Sequence, residues 1–244
     1  MSNDIEQNLL HILQRIENAC LKCNRNPYEV KLLLATKTVS AERIKVAFRA
    51  GQTLMGENRV QELKEKFEEL KEIPHQKHFI GHLQTNKIKD ILRYGVTCIQ
   101  SLDRLNAAEK LQQRLEFENK TIDVLIQVNT SYEESKFGVE PENAVAFTKE
   151  IAIFDRLKIK GLMTIGLFSA ETEKVRKCFK LLKEIQHKII AENIPNVAMN
   201  ELSMGMSGDL ETAIEEGATI VRVGTAIFGQ RIYPDSYYWN ETKG

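Results

Sequence analysis

Eight short apolar runs, at residues 29–36, 53–57, 78–83, 96–101, 123–129, 159–165, 200–205 and 219–228, recur along the chain with helix-patterned segments between them. A strand, a helix and another strand in sequence pair in parallel, because the helix carries the chain back along the sheet. Near-continuous apolar stretches such as Leu32–Ala35 and Leu125–Val128 fit strands covered on both faces. The intervening helices are marked by Val60, Leu63, Phe67 and Leu70, by Leu105, Ala108, Leu111 and Leu115, by Val175, Phe179, Leu182, Ile185 and Ile189, and by Leu210, Ala213 and Ile214. Pro141 is expected one residue into a helix, and Ser101 or Asp103 is expected to cap the helix after strand four. Eight such units close into a (β/α)8 TIM barrel more naturally than into an open doubly wound sheet, for which no Gly-x-Gly-x-x-Gly follows the first strand.

Ahead of the barrel, Ile5, Leu9, Ile12, Ile16 and Ala19 share one face of an expected N-terminal helix over residues 1–23. No Pro/Gly/Ser-rich linker interrupts residues 1–244, so the reading is a single domain ending in a tail over 232–244. Lys+Arg and Asp+Glu balance at 34 each, which argues against nucleic acid or an anionic membrane surface as partner. No apolar run approaches the ~18 residues that a membrane span requires. The start, Met-Ser-Asn-Asp-Ile-Glu, is acidic where a secretory signal is basic, so the expected location is the cytoplasm. Cys98 and Cys178 read as small core residues, and Cys20-Leu-Lys-Cys23 as chance spacing on an amphipathic helix rather than a metal or redox pair. His75, His78 and His82 lack a nearby Asp or Cys to complete a metal site.

Chemistry in such a barrel gathers where the strands end. Lys37 ends strand one, Glu57-Asn58-Arg59 follow strand two, His82 and Gln84 end strand three, and Asn129 ends strand five. Ser207 ends strand seven, and Gly224-Thr225 lie in strand eight. Lys37 shares the parity of Leu33 and Ala35, which points it into the barrel mouth. A desolvated lysine loses affinity for its proton, and the neutral amine is the form that attacks a carbonyl, so a Schiff base is one use for it and simple solvation the other. Ser207-Gly208-Asp209-Leu210 opens a helix with the serine in N-cap position, which suits either ordinary capping or an anion. Arg222 lies inside the apolar strand Thr219–Val223 and needs an acceptor there; Glu201 is one candidate and a cofactor's ring nitrogen another.

A reactive lysine, an anion nest and a buried arginine together describe a site for pyridoxal 5'-phosphate. An arginine at the pyridine nitrogen leaves that nitrogen unprotonated and makes the ring a poor electron sink. Ala35-Thr36-Lys37, Gly56-Glu57-Asn58-Arg59-Val60-Gln61-Glu62, His78-Phe79-Ile80-Gly81-His82-Leu83-Gln84-Thr85-Asn86-Lys87, Leu202–Asp209 and Val221–Gly229 occur in this order across residues 30–230. These blocks resemble the pyridoxal phosphate homeostasis proteins (the YggS/PROSC family). The resemblance implies an alanine-racemase-like barrel with the cofactor on Lys37, Arg222 at the ring nitrogen, phosphate contacts from Ser207, Gly224 and Thr225, and Asn58 and Met204 near the ring. Lys77, before the His-Phe-Ile-Gly block, and Phe137, after Lys136, depart from the family pattern.

The expected function is a carrier that holds the vitamin B6 cofactor as a Schiff base on Lys37 without appreciable catalysis, acting as a monomer whose other partners are apo-forms of cofactor-dependent enzymes. The alternative is an amino-acid racemase. Racemisation needs a base on each face of the cofactor, and alanine racemases draw one tyrosine from a second domain; here Tyr233, Tyr237, Tyr238 and Trp239 in the tail read as packing. A Schiff-base aldolase on the same fold would keep Lys37 and the anion nest but give Arg222 no ring to meet.

Overall fold

The computed structural model describes residues 2–167 and 169–230. Eight parallel strands, β1 (Lys31–Ala35), β2 (Leu54–Glu57), β3 (Gln76–Phe79), β4 (Cys98–Leu102), β5 (Ile122–Gln127), β6 (Leu157–Met163), β7 (Val197–Ser203) and β8 (Ile220–Val223), close into a barrel in sequence order. β1 seals the ring against β8, with Leu33 beside Arg222 and Leu34 beside Val223. This is the expected TIM barrel. Around it lie α1 (Ser2–Lys22), α2 (Ala41–Arg49), α3 (Val60–Leu70), α4 (Ile88–Arg93), α5 (Leu105–Glu118), α6 (Ala144–Ile151), α7 (Thr172–Ala191), α8 (Leu210–Glu215) and α9 (Thr225–Phe228).

Alternation along each strand sorts the core into an outer and an inner part. Leu32 and Leu34 face the helices and join the large apolar cluster, whereas Leu33 joins Leu54, Cys98, Leu125, Met163 and Ile220 inside the barrel. One pleat further towards the C-terminal ends, the inward positions turn polar: Gln100 lies two residues after Cys98, and Arg222 two after Ile220. The barrel is therefore filled by an apolar layer capped by a polar one, the layering that puts chemistry at the C-terminal mouth.

The apolar face of α1 is buried at Ile5, Leu9, Ile12, Ile16 and Ala19, as its spacing predicts. Its polar side ties to the last barrel elements: Asn8 donates to the Ile227 carbonyl at 3.1 Å, and Arg15 pairs with Glu211 while donating to the Ser207 carbonyl at 3.0 Å. Cys20, Cys98 and Cys178 are buried, and all four cysteines are unbridged.

Three local expectations are corrected. Helix α5 starts after Arg104, capped by neither Ser101, which is buried in β4, nor Asp103, which pairs with Arg104 at 2.8 Å. Helix α8 has Asp209, not Ser207, at its N-cap position, because Asp209 Oδ1 takes the Met206 amide at 2.5 Å and folds residues 206–209 into a turn of their own. Strand β8 ends at Val223, and Thr225 opens α9 instead of continuing the strand. Pro141 stands at the start of a 3₁₀ turn that runs into α6, as expected. The tail readings at Tyr233, Tyr237, Tyr238 and Trp239 lie outside the described residues.

Candidate functional site

Four neighbouring strand ends, those of β7, β8, β1 and β2, carry every residue expected at the site. Lys37 follows β1 and is 9% exposed. The turn that presents it is tied to β2 through the Thr36 amide, which donates to the Gly56 carbonyl at 3.0 Å. Asn58 follows β2 and is half-buried. After β7, Met204 is fully buried in the apolar core, Ser207 is half-buried and Gly208 is exposed. Gly205 permits this turn in two ways: it has φ +91°, and a side chain there would come 2.5 Å from Ala213 Cβ.

Gly224 joins the end of β8 to β1. A Cβ at Gly224 would stand 2.8 Å from the Ala35 carbonyl oxygen, so only glycine lets the two backbones approach here, two residues before Lys37. Thr225 is exposed at the start of α9. Ser207, Gly208, Gly224 and Thr225 thus leave small side chains, two hydroxyls and turn backbone on the side of the mouth bordering β1.

Arg222 is 6% exposed, and among the described residues no carboxylate is bonded to it. The expected partner Glu201 is engaged elsewhere, with the Lys31 ammonium and with the Thr219 hydroxyl, which donates to it at 2.6 Å. Arg222 instead donates to Ser203 Oγ and to the Thr164 carbonyl, both at 2.8 Å. Burial pulls its pKa down to about 10, against support from Asp209, so it remains a cation at neutral pH. Burial in turn raises the Asp209 carboxyl, offset by the Met206 amide and Arg222.

The direction of the bonds beyond Arg222 follows from its chemistry, since a guanidinium only donates. Ser203 Oγ accepts from it and passes its own proton to Gln100 Oε1 at 2.7 Å. Gln100 Nε2 is then left to donate to His78 Nδ1, also at 2.7 Å. His78 must therefore be neutral, with its proton on Nε2, and burial, reinforced by the Lys31 charge, lowers its pKa to about 4. Four strands, β8, β7, β4 and β3, are stitched by this one chain across the barrel. His82, by contrast, lies beyond β3 stacked on Phe137 with ring centroids 3.8 Å apart, and burial and Arg104 lower its pKa to about 4. No group of His, Cys, Asp or Glu able to hold a metal occurs among the described residues.

Sequence reasoning missed Gln100 and Ser203. Both are polar residues at inward parity, but β4 also carries Ser101 and β7 also carries Asn200 and Glu201, so neither stands out from its strand as Arg222 does.

The comparisons with known proteins agree with this fold. Residues 8–232 match the alanine racemase N-terminal domain family. A pyridoxal phosphate homeostasis protein of Aquifex aeolicus is 46% identical over 227 residues, 93% of this chain and 98% of that one. The chain belongs to the pyridoxal phosphate homeostasis proteins. Among solved structures, a protein of unknown function from Bifidobacterium adolescentis superposes with a TM-score of 0.89 at 39% identity, covering 93% of this chain and 95% of that one. PipY of Synechococcus elongatus, solved both without and with pyridoxal phosphate, gives 0.78 at 30% identity in the cofactor-bound form, covering 89% of this chain and all of that one.

The residues present fit that cofactor by their donor set. A buried amine, a buried cation bonded to no carboxylate among the described residues, and two turns that each carry a hydroxyl match an aldehyde, a basic ring nitrogen and a phosphate ester.

Proposed function

We propose that this chain binds pyridoxal 5'-phosphate at the C-terminal mouth of its barrel and serves in cofactor homeostasis without appreciable turnover, in the cytoplasm. The observation that carries the reading is Arg222: a permanently charged donor, buried inside a barrel, whose bonded acceptors are a hydroxyl and a carbonyl and whose charge no bonded carboxylate matches among the described residues. An acceptor such as a pyridine nitrogen would complete its coordination. Lys37 is the amine that takes up the aldehyde, Asn58 and the backbone at Met204, whose side chain is buried in the outer apolar cluster, border the ring, and Ser207, Gly224 and Thr225 hold the phosphate. When bound, the cofactor supplies an aldehyde for the lysine and a ring whose electron demand depends on protonation of its nitrogen. Arg222 donates at that nitrogen without releasing a proton, so it keeps the ring weakly electron-withdrawing and suits holding over turnover. The relatives' names, which specify homeostasis rather than a reaction, support the same choice over the racemase alternative. Apo-forms of cofactor-dependent enzymes are the recipients this role calls for, and a monomer is sufficient for it, since all seven residues come from one chain.

The anion site tests this. Hydrogen bonds to a charged group contribute about 1.5–3 kcal/mol each. Pyridoxal lacking its phosphate should bind at least tenfold more weakly than pyridoxal phosphate in an absorbance titration, and Ser207→Ala should weaken only the phosphorylated form. Equal affinity for the two vitamers would overturn the assignment.

A further inference from the structure

Lys37 is flanked by two residues held by carboxylates. Thr36 Oγ1 donates to Glu57 Oε1 at 2.6 Å, and the Thr38 amide donates to Glu62 Oε1 at 2.7 Å. Thr38 has φ +63°, a left-handed conformation that a β-branched residue adopts only where its surroundings impose it. Glu57 comes from the end of β2 and is fully buried; Glu62 comes from the first turn of α3. Lys66, one turn further along α3, donates to Glu57 Oε1 at 2.7 Å and to the Thr36 carbonyl at 2.8 Å, and lies 3.9 Å from Glu62.

The remaining oxygens of the two acids reveal how the cluster is charged. Among the described residues no donor reaches Glu57 Oε2 or Glu62 Oε2, although both are buried. Two ionised carboxylates in that position would repel each other and leave both atoms unsatisfied. One proton shared by the two carboxyls would satisfy both atoms at once. It also leaves a single negative charge for Lys66 to neutralise. Burial, the largest cause, and Glu62 raise the Glu57 pKa above the usual carboxylate range while Lys66 opposes them, in keeping with this arrangement.

We propose that Glu62 is a positioning residue for Lys37: joined to buried Glu57 by a shared proton and neutralised by Lys66, it holds the Thr38 amide and thereby fixes the left-handed turn that presents the lysine. Among the described residues, the groups bonded to the pair are Thr36 and Thr38 from the turn after β1 and Lys66 from α3. The inference deepens the proposed function, because it rests on Lys37 being the reactive lysine.

Its test is read on the full chain freed of cofactor, so that a failure of cofactor binding and a failure of the positioning role are separable. Two quantities are measured in the parent, Glu62→Ala, Glu62→Gln and Glu57→Gln: exchange of the Thr38 amide by NMR, and acylation of Lys37 by a lysine-reactive ester, relative to the other lysines, by peptide mass mapping. The parent's Thr38 amide should be protected. In Glu62→Ala its exchange should rise roughly tenfold or more, the scale of one charge-assisted hydrogen bond, and Lys37 acylation should change severalfold. Glu62→Gln should restore both to within about twofold, since its oxygen still accepts from Thr38 and its amide N–H replaces the shared proton. Glu57→Gln should behave likewise by donating to Glu62. An unprotected Thr38 amide in the parent, which needs no variant to be seen, would overturn the proposal. So would unchanged exchange and acylation in Glu62→Ala, or a loss in Glu62→Gln equal to that in Glu62→Ala.

Discussion

Arg222 and His78 stand at opposite ends of one hydrogen-bonded chain, and each restricts the other. Because the guanidinium sends its donors outward, the histidine at the far end can only accept, and protonating His78 would set two donors against each other. This has a measurable sign. His78 has a folded pKa of about 4 against an ordinary value of 6.5, so between those values the unfolded chain binds more protons and stability falls as pH falls. Glu57, with a raised pKa, works in the opposite direction, so the His78 contribution is isolated by comparison with a variant. Relative to His78→Gln, the parent should lose up to about 3 kcal/mol between pH 7 and pH 4 in urea unfolding. Parallel pH profiles for the two proteins would show that His78 is not held neutral by Gln100.

Among the elements, α1 is the one that the barrel's own symmetry does not demand, yet its inner face is fully covered and its polar side braces the Ser207 turn through Arg15. Ile12, with no exposed surface, should cost about 2–5 kcal/mol when cut to alanine, whereas exposed Leu10 should change stability by less than about 0.5 kcal/mol. Comparable losses at both positions in thermal or urea unfolding would mean that α1 does not pack as described. Period and parity made these features legible beforehand: the α1 stripe, the eight strands and the inward placement of Leu33 all follow from spacing along the sequence. What stayed hidden depended on tertiary contact. The N-cap of α8 moved from Ser207 to Asp209 because the Asp209 side chain found the Met206 amide, and β8 stopped at Val223 because β1 leaves room only for a glycine beyond it. Lys37 and Arg222 were visible as charges at the end of one apolar run and inside another, but the acceptors of Arg222 lie 19 and 58 residues away, at the end of β7 and just past β6.

At the scale of the whole molecule, the site residues occupy one contiguous arc of the barrel mouth, from β7 through β8 and β1 to β2, with the interior polar chain anchoring Arg222 from the opposite side. That arrangement binds and orients more than it moves protons. Incubation with alanine or serine in deuterated water should therefore give slow exchange or none at the α-carbon, and Arg222→Glu, which can protonate a ring nitrogen, should exchange faster. Several turnovers per second in the parent would favour a racemase, and identical behaviour in Arg222→Glu would remove Arg222 from the ring. The central claim, that Lys37 is the lysine that holds the cofactor, is tested most directly by borohydride trapping of the loaded protein followed by peptide mass mapping. The account predicts a pyridoxyl mass addition on the peptide containing Lys37 and a colourless Lys37→Ala variant; label found mainly on Lys136 or Lys87, or a Lys37→Ala protein that stays yellow, would contradict it.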